Sequence, residues 1–177
     1  MFCDSSSNVL EHRWGSAKLY RQYFTDYQTF LGRPGIVVDE LKRGSDKNEY
    51  EIAVVHTDLS KFYDRVRPGM LIEKIKKHKP EGTDQRFLEL TESLFNWSWA
   101  DKKWAVKYAA LHKIDGFKQV ALPQGLVAAG FFANIVLLDF DQSLRNSLDH
   151  TIDRNRPIVL RDSCRYVDDL RLVFTIP

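Results

Sequence analysis

Three short stretches carry residues whose types and spacing could do chemistry. The first is Asp58-Leu59-Ser60-Lys61-Phe62-Tyr63-Asp64, an acid followed by an aromatic pair. The second is Leu122-Pro123-Gln124-Gly125, at the head of a long apolar run. The third is Tyr166-Val167-Asp168-Asp169, which ends in paired acids. Taken singly, each has an ordinary reading. An Asp-Asp pair in a turn is turn chemistry, because the short carboxylate bonds the local backbone. Pro-Gln-Gly is a loop, and an Asp at a strand end is a cap. Lys61 and Asp64 read as surface charges. Nothing points to a nucleophilic Ser or Cys. Two cysteines, Cys3 and Cys164, make neither a disulfide framework nor a metal cage. No two of His12, His56, His78, His112 and His150 stand at metal-ligand spacing, and His56 reads as structural. The carboxylates are therefore the groups to follow.

The elements around these stretches can be read from periodicity and punctuation. Tyr20, Tyr23, Phe24, Tyr27 and Phe30 form a helical stripe, read as a core-facing helix that Gly32-Arg33-Pro34-Gly35 ends. Residues 42–50 read as a polar loop. Glu51 to Thr57 is β-branched and nearly continuously apolar, which predicts a buried central strand delivering Asp58 at its end. Pro68 suits the first turn of a helix to about Lys79. Thr83 can cap a second helix to about Phe95, with Phe87, Leu90, Leu94 and Phe95 on one face. Trp97 to Lys113 is mixed and has no clear assignment. Gly125 to Leu148 reads as a long helix. Ile158–Leu160, Arg165–Val167 and Leu170–Ile176 read as strands, which places Asp168-Asp169 at a hairpin tip. The class is α+β, with antiparallel strands and helices on one side.

In this order and on these elements, the three stretches resemble motifs A, B and C of reverse transcriptases, and more widely the palm of template-directed polymerases. The likeness spans roughly residues 52 to 174. It implies a palm, an antiparallel sheet packed on helices, with partial fingers: residues 1–50 as a partial fingers or N-terminal helical segment, and 51–177 as the palm with the thumb absent. It further implies RNA-directed DNA polymerase activity, a two-metal nucleotidyl transfer from a dNTP to a primer 3′-hydroxyl. Such chemistry uses two divalent ions about 3.5–4 Å apart. Mg²⁺, or Mn²⁺ in its place, is hard and takes oxygen ligands, so a few carboxylates suffice. By resemblance Asp58 and Asp168 ligate the metals, the Leu59 carbonyl adds a ligand, and Asp169 has a supporting catalytic role. Asp58 and Asp168 are far apart in sequence and meet only if strand 52–57 lies beside the 165–174 hairpin. Tyr63 falls at the family's steric-gate position, where a ring crowds a 2′-hydroxyl and favours dNTPs; the alternative is a packed core tyrosine. Gln124 and Gly125 match the loop that supports template base and incoming nucleotide, where glycine permits close backbone approach.

Ala129-Gly130 stands where retron and group II intron enzymes typically carry Ser-Pro. With Trp14-Gly15, Tyr20 to Phe24 and Asp139-Phe140-Asp141, this looks like the bacterial defence-associated and abortive-infection group, which implies an antiviral setting. Arg21 is a weak candidate for gripping the triphosphate. The expected partners are an RNA template with its DNA product, and dNTPs. Without a thumb, a 177-residue palm fragment is expected to polymerise poorly and to expose apolar surface that invites oligomers. Two other readings stand beside this one: another palm-type nucleotidyl transferase, and a non-catalytic palm scaffold that binds RNA or protein.

Composition bounds all three readings. Hydrophobic residues make up 44% and aromatics 12%, enough for a real core. With 26 basic against 24 acidic residues, the net charge of +2 argues against a polybasic coating protein. No apolar run reaches membrane-span length, and the opening Met1-Phe2-Cys3-Asp4 has no signal-peptide character. The expectation is a cytoplasmic protein without a membrane partner.

Overall fold

The computed structural model describes residues 23–44, 50–117, 120, 127–153 and 155–177. In chain order these form α1 (Tyr23–Gly44), β1 (Glu51–Asp58), α2 (Phe62–Arg65), α3 (Pro68–His78), α4 (Gln85–Leu94), α5 (Lys102–His112), α6 (Val127–Asn146), β2 (Val159–Tyr166) and β3 (Asp169–Ile176). The class is α+β, with a small three-stranded antiparallel sheet among helices. The chain divides into two compact units. One comprises 1–59 with 140–177, and the other 60–139. Among the described residues, no helix is long and apolar enough to cross a membrane.

The first unit holds the sheet, in the order β1-β3-β2. β2 and β3 are joined by a two-residue turn, so β1 can add only at an outer edge of that hairpin, and it pairs with β3. β1 is therefore an edge strand and not the central one expected. Val54 and Val55 are each 40% exposed, whereas Leu170, Val173 and Thr175 of β3 are buried. The apolar run of β1 read as covered on both faces, but hairpin connectivity set the strand order.

α1 packs on β2 and β3. It also runs straight through Gly32-Arg33-Pro34-Gly35, where the sequence predicts an end. An interior proline removes a helix hydrogen bond and costs about 3 kcal/mol. Tertiary packing offsets that here. Phe30, Pro34 and Val37 are buried at helical spacing. Phe30 packs against Tyr166 with ring centres 5.8 Å apart, and the Arg171 guanidinium lies over the Phe30 ring at 4.9 Å. Arg33 donates twice to Asp162 of β2, at 3.0 and 2.7 Å. Phe24, expected on the core stripe, is 72% exposed. The β2 ladder shifts register between Leu160 and Asp162.

The second unit is helical. Pro68 opens α3 as expected. Asp84, not Thr83, caps α4: its carboxylate accepts from the Arg86 amide at 2.8 Å, while Thr83 bonds back to Pro80. α4 buries Leu88 and Thr91 with Phe95 just beyond its end, and leaves Phe87, Leu90 and Leu94 exposed. The expected face is thus rotated, because the contact with α3 selects the Leu88 side. Asp101 caps α5 through the Trp104 amide and resolves the mixed stretch. Ala105, Ile114, Phe117 and Val120 form a buried cluster, with Trp97, Trp99 and Tyr108 packed against it. Asp64 is half-buried and its carboxylate accepts from the Tyr108 hydroxyl at 2.9 Å, so it is more than a surface charge. Lys61 is exposed and sits over the Tyr108 ring at 5.7 Å. Asp139 of α6 receives Lys74, Lys77 and His78 of α3.

Candidate active site

The end of β1 and the start of β3 bring the acids of the first unit together. In the antiparallel register Asp58 stands directly opposite Asp169. One step further, the Leu59 amide donates to the Asp168 carbonyl at 3.1 Å. Directly opposed residues in such a ladder have Cα atoms about 4.5–5.5 Å apart. Asp58, Asp168 and Asp169 therefore occupy neighbouring positions at one end of the sheet.

The turn that carries Asp168 is tight. Val167 and Asp168 form it, and Tyr166 pairs with Asp169 across it. Val167 has φ of 57°, in the left-handed region that a β-branched residue rarely adopts. The tip is held from one side by Arg165. Its side chain is 7% exposed; Nε donates to Asp141 Oδ1 at 2.7 Å, Nη2 to Asp141 Oδ2, and Nη1 to the Val167 carbonyl. From the other side, Tyr27 of α1 packs edge-on to Tyr166 with ring centres 5.2 Å apart.

Electrostatics at the tip follow from this geometry. Burial raises the Asp168 carboxyl above the ordinary carboxylate pKa, and the charges of Asp58 and Asp169 raise it further. A hydrogen bond from its own backbone amide and the charge of Arg165 pull the other way. Carboxylates that disfavour one another's charge are relieved by a bound cation. The donor set, carboxylate oxygens with backbone carbonyls nearby, suits a hard divalent ion. Among the described residues, no group of three or more His, Cys, Asp or Glu side chains is arranged to hold a metal by itself.

A cleft of about 360 Å³ adjoins two of the acids, Asp58 and Asp169, with Tyr27, Phe30, His56 and Arg171 among its lining; Asp168 is not part of that lining. Arg171 also donates to the Leu31 carbonyl at 3.0 Å.

Tyr63 sits on α2 in the second unit, its ring edge-on to Phe62 at 5.7 Å. Gln124 and Gly125 lie outside the described residues, as do Arg21, Trp14-Gly15 and Cys3. Arg165 and Arg171 were not singled out from the sequence. The signal for Arg165 was available: an arginine three positions before Asp168, on the strand leading into the turn, is well placed to reach the tip. Neither a family model nor a curated protein matches this chain.

Proposed function

We propose that this chain carries the catalytic palm of an RNA-directed DNA polymerase, which extends a primer 3′-hydroxyl with dNTPs. The observation that supports the reading is the register at the sheet end, where Asp58 faces Asp169 and the Leu59 amide bonds the Asp168 carbonyl. Two acids remote in sequence thereby become neighbours, as the chemistry requires. Asp58 and Asp168 would hold the divalent ions through carboxylate oxygen, with the Leu59 carbonyl beside them. Mg²⁺ or Mn²⁺ bound there would supply activation of the 3′-hydroxyl and neutralise the leaving pyrophosphate. Asp169 adds negative charge next to Asp168 and so strengthens the attraction of the tip for cations. Tyr63 would exclude a 2′-hydroxyl, and Gln124 with Gly125 would support the template base and the nucleotide. The resemblance of residues 129–130 and 139–141 to defence-associated reverse transcriptases supports a role for this activity in anti-phage defence, and a cytoplasmic setting belongs to the same proposal.

The test reads metal uptake first, because it does not depend on polymerisation. Mn²⁺ binding followed by electron paramagnetic resonance is expected to fall at least tenfold in Asp58→Asn and in Asp168→Asn. Primer extension on an RNA template is expected to use dNTPs in preference to NTPs, and Tyr63→Ala is expected to narrow that preference. Mn²⁺ binding indifferent to both Asn substitutions would sink the proposal. If RNA were then still bound, the scaffold reading would replace it.

A further inference from the structure

We propose that Arg165 is a positioning residue, which with Asp141 forms a strut that fixes the turn carrying Asp168. The inference rests on the polymerase reading for its functional meaning, but its structural content stands apart from it.

Three observations carry it. The first is the span of the contact. Arg165 grips both oxygens of Asp141 on α6 and, with a different nitrogen, the Val167 carbonyl inside the turn. A planar guanidinium can hold a carboxylate in a fork and still present a further donor, which a lysine ammonium cannot match in geometry. The second is burial. The Arg165 side chain is only 7% exposed, so the guanidinium is shielded and its direction is held, while Asp141 at 33% stays partly open to water. The third is the strain at the point gripped. Val167 occupies the left-handed region, and such backbone persists only where its surroundings over-determine it. The Arg165 bond to the Val167 carbonyl is one such determinant, and it acts on the residue immediately before Asp168. The strut therefore sets the course of the backbone into Asp168, and through it the hydrogen bond that Leu59 gives to the Asp168 carbonyl. Asp141 lies in the Asp139-Phe140-Asp141 stretch, and the strut gives that acid a task.

The experiment uses the full chain with Arg165→Lys, which keeps the charge and loses the fork, and Asp141→Asn, which keeps the shape and loses the charge. Amide hydrogen exchange at Leu59, followed by NMR, reports the tip without any activity. Exchange at Val173 reports the sheet centre. Both variants are expected to speed exchange at Leu59 by tenfold or more while leaving Val173 within twofold of the parent, and Asp141→Glu is expected to recover part of the protection. Exchange at Leu59 within twofold of the parent would overturn the proposal. So would equal acceleration at Leu59 and Val173, which marks a merely structural role. Mn²⁺ affinity in the same variants separates the two claims. A parent chain that binds no Mn²⁺ defeats the polymerase reading, while the exchange data still decide the strut.

Discussion

Single residues in this chain are set by what immediately surrounds them, and Cys164 shows it in a measurable way. Burial, reinforced by the charge of Asp162 and opposed by Arg171 and Arg33, pushes its thiol up to about 11. Only the thiolate reacts. In a Cys3→Ser background at pH 8, alkylation of the native thiol is therefore expected to run on the order of 100-fold slower than in the urea-unfolded chain. The sign for stability follows. The neutral thiol is favoured in the fold, so its contribution is fully present below the unfolded pKa and is lost as pH rises from about 9 through about 11. A denaturation series across that range checks it against Cys164→Ala, which should lack this part of the decline. Gly116 is a second local case. It has φ of +67°, and an added Cβ would meet Arg67 Nε at 2.8 Å. Arg67 cannot swing away freely, because it bonds the carbonyls of Asp64 and Asp115. Gly116→Ala is expected to cost about 1–3 kcal/mol in a urea titration. At this scale the acids were readable from sequence, because Asp58 and Asp168-Asp169 are marked by the ends of the strands that carry them. The pairing of Arg165 with Asp141 and of Asp64 with Tyr108 was not, since each joins residues far apart along the chain.

Elements obeyed local signals where those signals met no opposition. Pro68 at the first turn of α3 and the hairpin of β2 and β3 fall where pattern and punctuation put them. α1 and β1 did not follow, for one physical reason: tertiary contacts outweigh local preference when they are many and specific. Gly and Pro at 32–35 argue for a stop, yet that turn is pinned to the sheet by Arg33 and by buried Pro34 and Val37. The pin is testable through its asymmetry. The side chain of Asp162 is 11% exposed and that of Arg33 47%. Arg33→Ala strands a carboxylate that water barely reaches, whereas Asp162→Asn leaves a guanidinium that water can solvate. Arg33→Ala is therefore expected to destabilise by about 1–3 kcal/mol, and Asp162→Asn by roughly half as much or less, in chemical denaturation. Equal costs would defeat the asymmetry, and negligible costs for both would mean that α1 is held by its apolar face alone.

At the scale of the whole chain, the acids and the aromatic cluster belong to different compact units, each with its own core. The sheet unit closes on Phe30, Leu160, Leu170 and Val173, and the helical unit on Ala105, Ile114, Phe117 and Val120. No sequence pattern announced that division, because the first unit is assembled from two separate segments of chain. A probe exists in each. Trp97, Trp99 and Trp104 all lie in the helical unit, and Trp99 stacks on Phe117 at 5.1 Å while its indole N–H donates to the Phe117 carbonyl at 2.9 Å. Cys164 lies in the sheet unit. Phe117→Ala removes a side chain that is 2% exposed, a change that costs about 3 kcal/mol in well-packed cores. If each core is self-sufficient, in a Trp14→Phe background the tryptophan-fluorescence midpoint falls in urea while Cys164 alkylation keeps the midpoint of the parent. A parallel fall in both would show that the two cores unfold as one cooperative system, and that the acids at the sheet end depend on the helical unit for their stability.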